Sequence, residues 1–193
     1  MRIPSSLMIF TLFAALAGPA DAGKLSGVTL PDTVEVGGKQ LHLNGLGLRE
    51  ATILKVNVYV AGLYLENVSS NAQTIVTSNQ TKRLVLRFVR DVDRDDITKA
   101  WRDGFKGNAT VKLTAIQGLI DRLNAWMPGF SKGDTLTFTY VPGAGVEVQI
   151  NSAVKGTLKS DDFAQSLFSI WLGQKPPNKG LKKGLLGSHG AGA

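Results

Sequence analysis

An alternation of apolar and polar residues just after Arg49 is the most informative pattern in the chain. On one side of a predicted strand over residues 53–65, the side chains are apolar: Leu54, Val56, Val58, Val60. The other side carries polar groups: Lys55, Asn57, Tyr59. A buried strand whose second face is polar can line a pocket as easily as it can face water. The cation just upstream makes a pocket the more interesting interpretation.

Short apolar runs punctuated by turn residues predict further strands on both sides of a helical middle. These lie at residues 28–30, 33–36, 40–43, 83–89, 135–141, 146–150 and 154–158. Gly37-Gly38 is typical of a two-residue hairpin turn. Gly45 and Gly47 predict a bend between strands, immediately before Arg49.

Apolar residues at helical spacing predict three helices. The first follows a cap at Asp93 and stops at Gly107-Asn108; the second covers about 112–127, and the third runs from Ser160 to Gly173. Strands, then two helices, then strands and a helix describe an α+β domain with an antiparallel meander.

The ends of the chain predict export and a basic tail. Residues 1–22 read as a signal peptide, with Arg2, an apolar run and a small-x-small site ending at Ala22. Residues 23–173 form the predicted domain, exported to the periplasm or secreted, and 174–193 a mostly extended, basic, Gly/Lys/Pro-rich tail with a short docked turn at 181–186. That tail holds four lysines and no acidic residue, against a net charge of +7. It is interpreted as solvated, with a weak membrane-surface contact as the alternative.

Composition argues against several classes of function. The chain has no cysteine, so neither disulfides nor thiol chemistry are expected. Its two histidines, His42 and His189, have no partner at metal-ligand spacing, so we expect no metal site and no His-activated nucleophile. No cofactor motif is present, and the export signal argues against a nucleic-acid partner.

Arg49 allows two interpretations from the residues alone. It is either a surface or ion-paired arginine beside Glu50, or a charge held over an apolar cavity to fix a ligand's carboxylate, phenolate or enolate oxygen.

Several motifs, taken in order, resemble the chalcone isomerase-like family in its exported, bacterial-type branch. They are Gly-Leu-Gly-Leu-Arg (45–49), Val-Tyr-Val-Ala-Gly-Leu-Tyr-Leu (58–65), Arg-Phe-Val-Arg-Asp-Val (87–92), Trp-Arg-Asp-Gly-Phe (101–105), Ile-Trp-Leu-Gly (170–173) and Leu-Lys-Lys-Gly-Leu-Leu-Gly (181–187). The resemblance implies an α+β open-faced β-sandwich, a large antiparallel sheet covered by helices on one face, with a ligand cleft between them.

The resemblance also implies site residues. Arg49 falls on the arginine that anchors the substrate's anionic oxygen in the plant isomerases, and Asn108 on an asparagine that binds the substrate's ring. Tyr59 falls on a strand threonine, Trp101 on the catalytic tyrosine and Ile170 on a helix hydroxyl, so the isomerase set is incomplete. The predicted ligand-binding residues are Arg49, Asn57, Tyr59, Trp101, Asn108 and Ile170; of these, Arg49, Tyr59 and Asn108 are catalytic by resemblance only.

Three functional hypotheses follow. The preferred one is a non-catalytic binder of a small amphipathic acid, fatty-acid-like or phenolic, because the family includes fatty-acid-binding members without isomerase activity. The second is an isomerase that closes the ring of a chalcone-like phenolic enone. The third is a structural envelope or assembly component.

Overall fold

The computed structural model describes residues 22–51 and 56–187. The predicted signal peptide, apart from Ala22, lies outside the described residues. So do residues 53–55 of the predicted strand and the last six residues of the tail.

The described residues form nine strands. They are β1 (Ala22–Leu25), β2 (Val28–Pro31), β3 (Thr33–Val36), β4 (Lys39–Ala51), β5 (Val56–Leu65), β6 (Lys82–Phe88), β7 (Thr135–Val141), β8 (Gly145–Ile150) and β9 (Ala153–Leu158). Strands β3 to β9 form one seven-stranded sheet in sequence order, with each neighbouring pair antiparallel. The predicted hairpin turn at Gly37-Gly38 is confirmed, since both glycines have positive φ, 55° and 77°.

Within residues 22–51 and 56–187, five helices accompany the sheet. They are α1 (Ala72–Thr77), α2 (Arg94–Asn108), α3 (Leu113–Trp126), α4 (Asp161–Leu172) and α5 (Lys179–Leu185). The three predicted helices correspond to α2, α3 and α4. Ser160 caps α4 by accepting from the Phe163 N–H at 3.1 Å, whereas Asp93 makes no side-chain cap bond to α2.

The main core lies between one face of the sheet and the helices. Tyr59, Ala61, Leu63 and Leu65 of β5 point into it, where they join apolar side chains of α2 and α4. The intervening β5 residues face the other way, as the alternation predicts. The α+β architecture and the covering of one sheet face by helices are thus confirmed.

The β1–β2 hairpin covers part of the opposite face. Leu30 packs there with Leu41, Leu46 and Val60 in a second, smaller cluster. Tyr64 anchors the hairpin by donating its hydroxyl proton to the Pro31 carbonyl at 2.9 Å. Among the described residues, no helix is both long enough and apolar enough to cross a membrane.

Strand β4 is longer than the sequence pattern predicts, and the prediction of a bend at Gly45 and Gly47 is wrong. Both glycines are strand residues, and the backbone of α5 lies directly on them. A Cβ on Gly45 would meet the Gly184 carbonyl oxygen, and one on Gly47 would meet the Leu181 carbonyl oxygen. The glycines therefore permit a close backbone approach instead of a turn.

Candidate functional site

A cavity of about 550 Å³ lies where one end of β4 and β5 meets α2 and α4. Its walls include Val58 and Tyr59 from β5, Ile97 and Trp101 from α2, and Ile170 from α4. These are mainly apolar surfaces, and the volume is within the range of small-molecule sites. Arg49 of β4 adds a cation to this lining.

Arg49 is half-buried and its charge has no ionic partner among the described residues. Its Nη1 donates to two backbone carbonyls, those of Glu50 and of Pro177, the latter at 3.1 Å. The Glu50 carboxylate, considered as an ion-pair partner from the sequence, makes no salt bridge to it within the part of the chain described. Both bonds use Nη1, and the N–H groups of Nε and Nη2 have no hydrogen-bond partner within residues 22–51 and 56–187. These two groups can form a fork for a carboxylate.

Asn57, predicted to bind ligand beside Tyr59, is not among the residues that line this cavity. Arg49 pairs with Tyr59 and Glu50 pairs with Asn57, which leaves Val58 unpaired in a β-bulge. The extra residue turns Val58 toward the cavity beside Tyr59. Asn57 instead lines a separate hollow with Arg87 and is exposed.

Tyr59 is the other polar side chain in the inner part of the cavity, and it is only 5% exposed. Its hydroxyl oxygen accepts a hydrogen bond from Trp171 Nε1 at 2.9 Å. Burial raises the pKa of Tyr59 to about 12, although the Trp171 bond and the charge of Arg49 oppose the rise. The hydroxyl therefore keeps its proton at any physiological pH.

Trp101 and Ile170 close the apolar side of the cavity. Trp101 is 2% exposed and packs edge-on against Trp171, with ring centroids 5.5 Å apart. Its Nε1 has no hydrogen-bond acceptor among the described residues. Ile170 lies against Gly104, where an added Cβ would approach its Cγ2 to 2.7 Å. Helices α2 and α4 consequently meet closely beside the cavity.

Asn108, predicted to bind ligand, is not among the residues that line this cavity. Its Nδ2 donates to the carbonyls of Gly104 at 3.1 Å and Lys175 at 2.8 Å, and its Oδ1 accepts from the Lys175 N–H at 2.8 Å. The side chain fastens the end of α2 to the segment after α4. That segment supplies Lys175 and Pro177 to the cavity wall, so Asn108 supports the site from behind.

The sequence did not identify the charged residues that line the cavity from α2. Lys99 and Asp103 form an exposed ion pair at 2.6 Å, and Asp96 lies one turn earlier. These three residues are three and four positions apart, so they share a side of α2, which also presents Ile97 and Trp101. This spacing could have identified them from the sequence. The inner donors are thus joined by a charged, solvent-exposed rim.

The arrangement favours binding of an anionic head group with an apolar body. Arg49 and Tyr59 both present protons, and the surrounding walls are apolar. Within the described residues, no cluster of three or more His, Cys, Asp or Glu side chains is placed to hold a metal ion.

Comparisons with known proteins identify the family of this chain and a solved structure with a similar fold. A family model described as chalcone isomerase-like matches residues 22–187. The chain belongs to this family. A similar solved structure is the crystal structure of the Arabidopsis thaliana fatty-acid binding protein At3g63170 (AtFAP1), with a TM-score of 0.69 and 16% identity, covering 87% of this chain and 97% of that one. The likeness confirms the predicted fold class. No curated protein matches the chain.

Of the predicted site residues of this chalcone isomerase-like chain, the structure brings four together. Arg49, Tyr59, Trp101 and Ile170 line one cavity, whereas Asn57 and Asn108 lie outside it. That the four bind a ligand stays a prediction.

Proposed function

We propose that the chain is an exported, non-catalytic binder of a small amphipathic monocarboxylic acid, fatty-acid-like or phenolic. The observation that carries this is a largely apolar cavity of about 550 Å³ that has Arg49 and Tyr59 among its lining residues. A carboxylate accepts hydrogen bonds only, so it matches these two donors, while an acyl chain or ring fits the apolar walls. That a structurally similar protein is a fatty-acid binding protein supports the same class of ligand.

We prefer binding over isomerisation because of the residues at positions 101 and 170. Trp101 and Ile170 occupy the places at which the isomerase resemblance puts a tyrosine and a hydroxyl. Indole offers an N–H donor but no acceptor, and isoleucine offers neither. Ring closure needs oriented polar groups at the developing oxyanion, whereas holding an acid needs only charge and apolar volume.

The proposal predicts that an acid binds and that Arg49 controls its affinity. In calorimetric titrations of the mature chain with decanoate, Arg49→Gln should weaken binding by about tenfold or more, because a hydrogen bond to a charged group is lost. Arg122→Gln is the matched control, since Arg122 is an exposed arginine of α3 that does not line the cavity. Equal affinities for wild type and Arg49→Gln would contradict the proposal.

Two further measurements complete this test. Native mass spectrometry of the protein from its own host should show a co-purified acid and a polypeptide beginning at Gly23, as cleavage after Ala22 requires. Turnover of a chalcone that is lost in Arg49→Gln would replace the binding proposal with the isomerase alternative.

A further inference from the structure

The hydrogen bond between Trp171 and Tyr59 has a direction that is fixed by chemistry. An indole N–H can only donate, so the Tyr59 oxygen must accept at the 2.9 Å contact. A phenol holds its proton in the plane of the ring, on one side of the oxygen or the other. With the Trp171 N–H on one side, the Tyr59 proton is left on the other.

Both rings are held so firmly that the hydrogen bond between them cannot readily break. Trp171 is fully buried at 0% exposure and packs against Trp101 and against Phe138, whose ring centroid lies 5.9 Å away. The Tyr59 ring packs edge-on against Phe88 at 5.7 Å. Swinging the indole away would leave its N–H buried without an acceptor, which is costly. The pair is therefore a preorganised unit.

We propose that Trp171 is a positioning residue that commits Tyr59 to donating toward the ligand, so that the cavity selects carboxylates over neutral alcohols with the same tail. This inference rests on the proposed function. Arg49 also presents only protons, so an alcohol bound beside Arg49 and Tyr59 would bring its own O–H proton up to two donors. A carboxylate brings no proton, and both its oxygens accept.

The test compares decanoate with 1-decanol, two ligands with the same tail length and different head groups. Their affinities are measured by calorimetry for wild type, Trp171→Phe, Tyr59→Phe and the double variant. We expect wild type to prefer decanoate, and each single variant to lower the decanoate-to-decanol affinity ratio by about tenfold. The double variant should lose no more than either single one, because the two residues act through one hydroxyl.

Trp126→Phe is the matched control for replacing a tryptophan. Trp126 belongs to α3 and lies against Gly156 of β9, away from the cavity. The decanoate-to-decanol affinity ratio of Trp126→Phe should equal that of wild type.

Other outcomes overturn the proposal. Equal weakening of both ligands by Trp171→Phe would show a packing role only, and additive losses in the double variant would show that the two residues act independently. Equal affinities of wild type for both ligands, with Arg49-dependent binding retained, would overturn this inference and leave the proposed function standing. Binding of neither ligand would overturn both.

A second measurement decides the matter if Trp171→Phe does not fold. In wild type, the Trp171 indole N–H should stay protected from hydrogen exchange when decanoate binds, because it continues to donate to Tyr59. Loss of that protection on binding would overturn the proposal, as would a decanoate-to-decanol ratio unchanged by Tyr59→Phe.

Discussion

Lys82 is a buried lysine whose protonation makes the stability of the fold depend on pH. It is 1% exposed, and its Nζ donates to the carbonyls of Ile75, Val76 and Ser78 at 2.6, 3.1 and 3.0 Å. A side chain from β6 thus caps the C-terminal end of α1. Burial lowers the pKa of Lys82 from 10.5 to about 8, although the Asp161 carboxylate opposes the shift.

This pKa predicts that the protein becomes more stable as the pH rises from about 8 toward 10. In that window the unfolded chain keeps the Lys82 proton and the folded protein releases it, so the free energy of unfolding should increase by about 2 kcal/mol. Urea denaturation at pH 7 to 10 measures it, with Lys82→Met lacking this increase. Identical pH profiles for the two proteins would contradict the prediction.

The measurement should stop near pH 10 because three tyrosines act in the opposite sense. Burial raises the pKa of Tyr59 and of Tyr140 to about 12, and it also raises the pKa of Tyr64. Above pH 10 the folded protein therefore holds protons that the unfolded chain releases, and stability falls as the pH increases.

Single residues also show where sequence reasoning stops. The alternation around Tyr59 predicts which β5 side chains share a face, but the bulge that turns Asn57 away depends on pairing with β4. Pairing register is a tertiary property, and one extra residue reverses the faces beyond it. Similarly, nothing local to Asn108 indicates that its amide bonds the backbone of Lys175, 67 residues later.

At the scale of elements, the contact between α5 and β4 depends on glycine. The Gly45 Cα lies so close to α5 that an added Cβ would approach the Gly187 nitrogen to 2.8 Å as well as meeting the Gly184 carbonyl. Asn44 strengthens the contact by donating to the Leu185 carbonyl at 2.7 Å. No side chain can be accommodated without moving the helix.

Gly45→Ala should therefore lower the free energy of unfolding by about 1–3 kcal/mol through overpacking. Gly118→Ala is the control, because Gly118 is an exposed α3 residue whose added Cβ would meet nothing within 4 Å. Alanine there should raise stability by about 0.5–1 kcal/mol through helix propensity. Chemical denaturation distinguishes the two, and a neutral Gly45→Ala would show that α5 can shift freely.

The sequence predicted the helices in which apolar residues recur at regular helical spacing. Helices α2, α3 and α4 carry regular apolar faces, and their positions were foreseen. Helix α1 was missed, because its six residues lie in a polar stretch and it is started by Asn71, whose Oδ1 accepts from the Thr74 N–H at 3.0 Å. A helix this short depends on its contacts instead of a visible period.

For the whole molecule, the basic C-terminal segment is part of the packed domain as far as α5. Leu181 and Leu185 are fully buried in the main core, and Lys182 donates to the Gly173 carbonyl at 2.8 Å. Three of its four lysines, Lys175, Lys179 and Lys183, are exposed. Whether these contact an anionic membrane surface stays a prediction.

A chain ending at Gly173 should consequently be destabilised by roughly 3–6 kcal/mol, since each buried leucine contributes about 1.5–3 kcal/mol. It should also lose decanoate binding, because Pro177, a hydrogen-bond partner of Arg49, is removed. A chain ending at Gly187 retains α5 and is the control. The denaturant midpoint measures the loss of stability, and calorimetry measures the loss of decanoate binding. An unchanged midpoint for the shorter chain would refute the first effect, and unchanged decanoate affinity would refute the second.

The bonds from Asn178 and Pro177 to β4 join residues 128 to 130 positions apart in the chain. Such distant pairs close slowly, because ordering the long intervening loop is costly before the contact forms. The surroundings of Arg49 are therefore complete only after the segment that holds Pro177 has docked on β4. A ligand captured through Arg49 would report that folding has reached its final step.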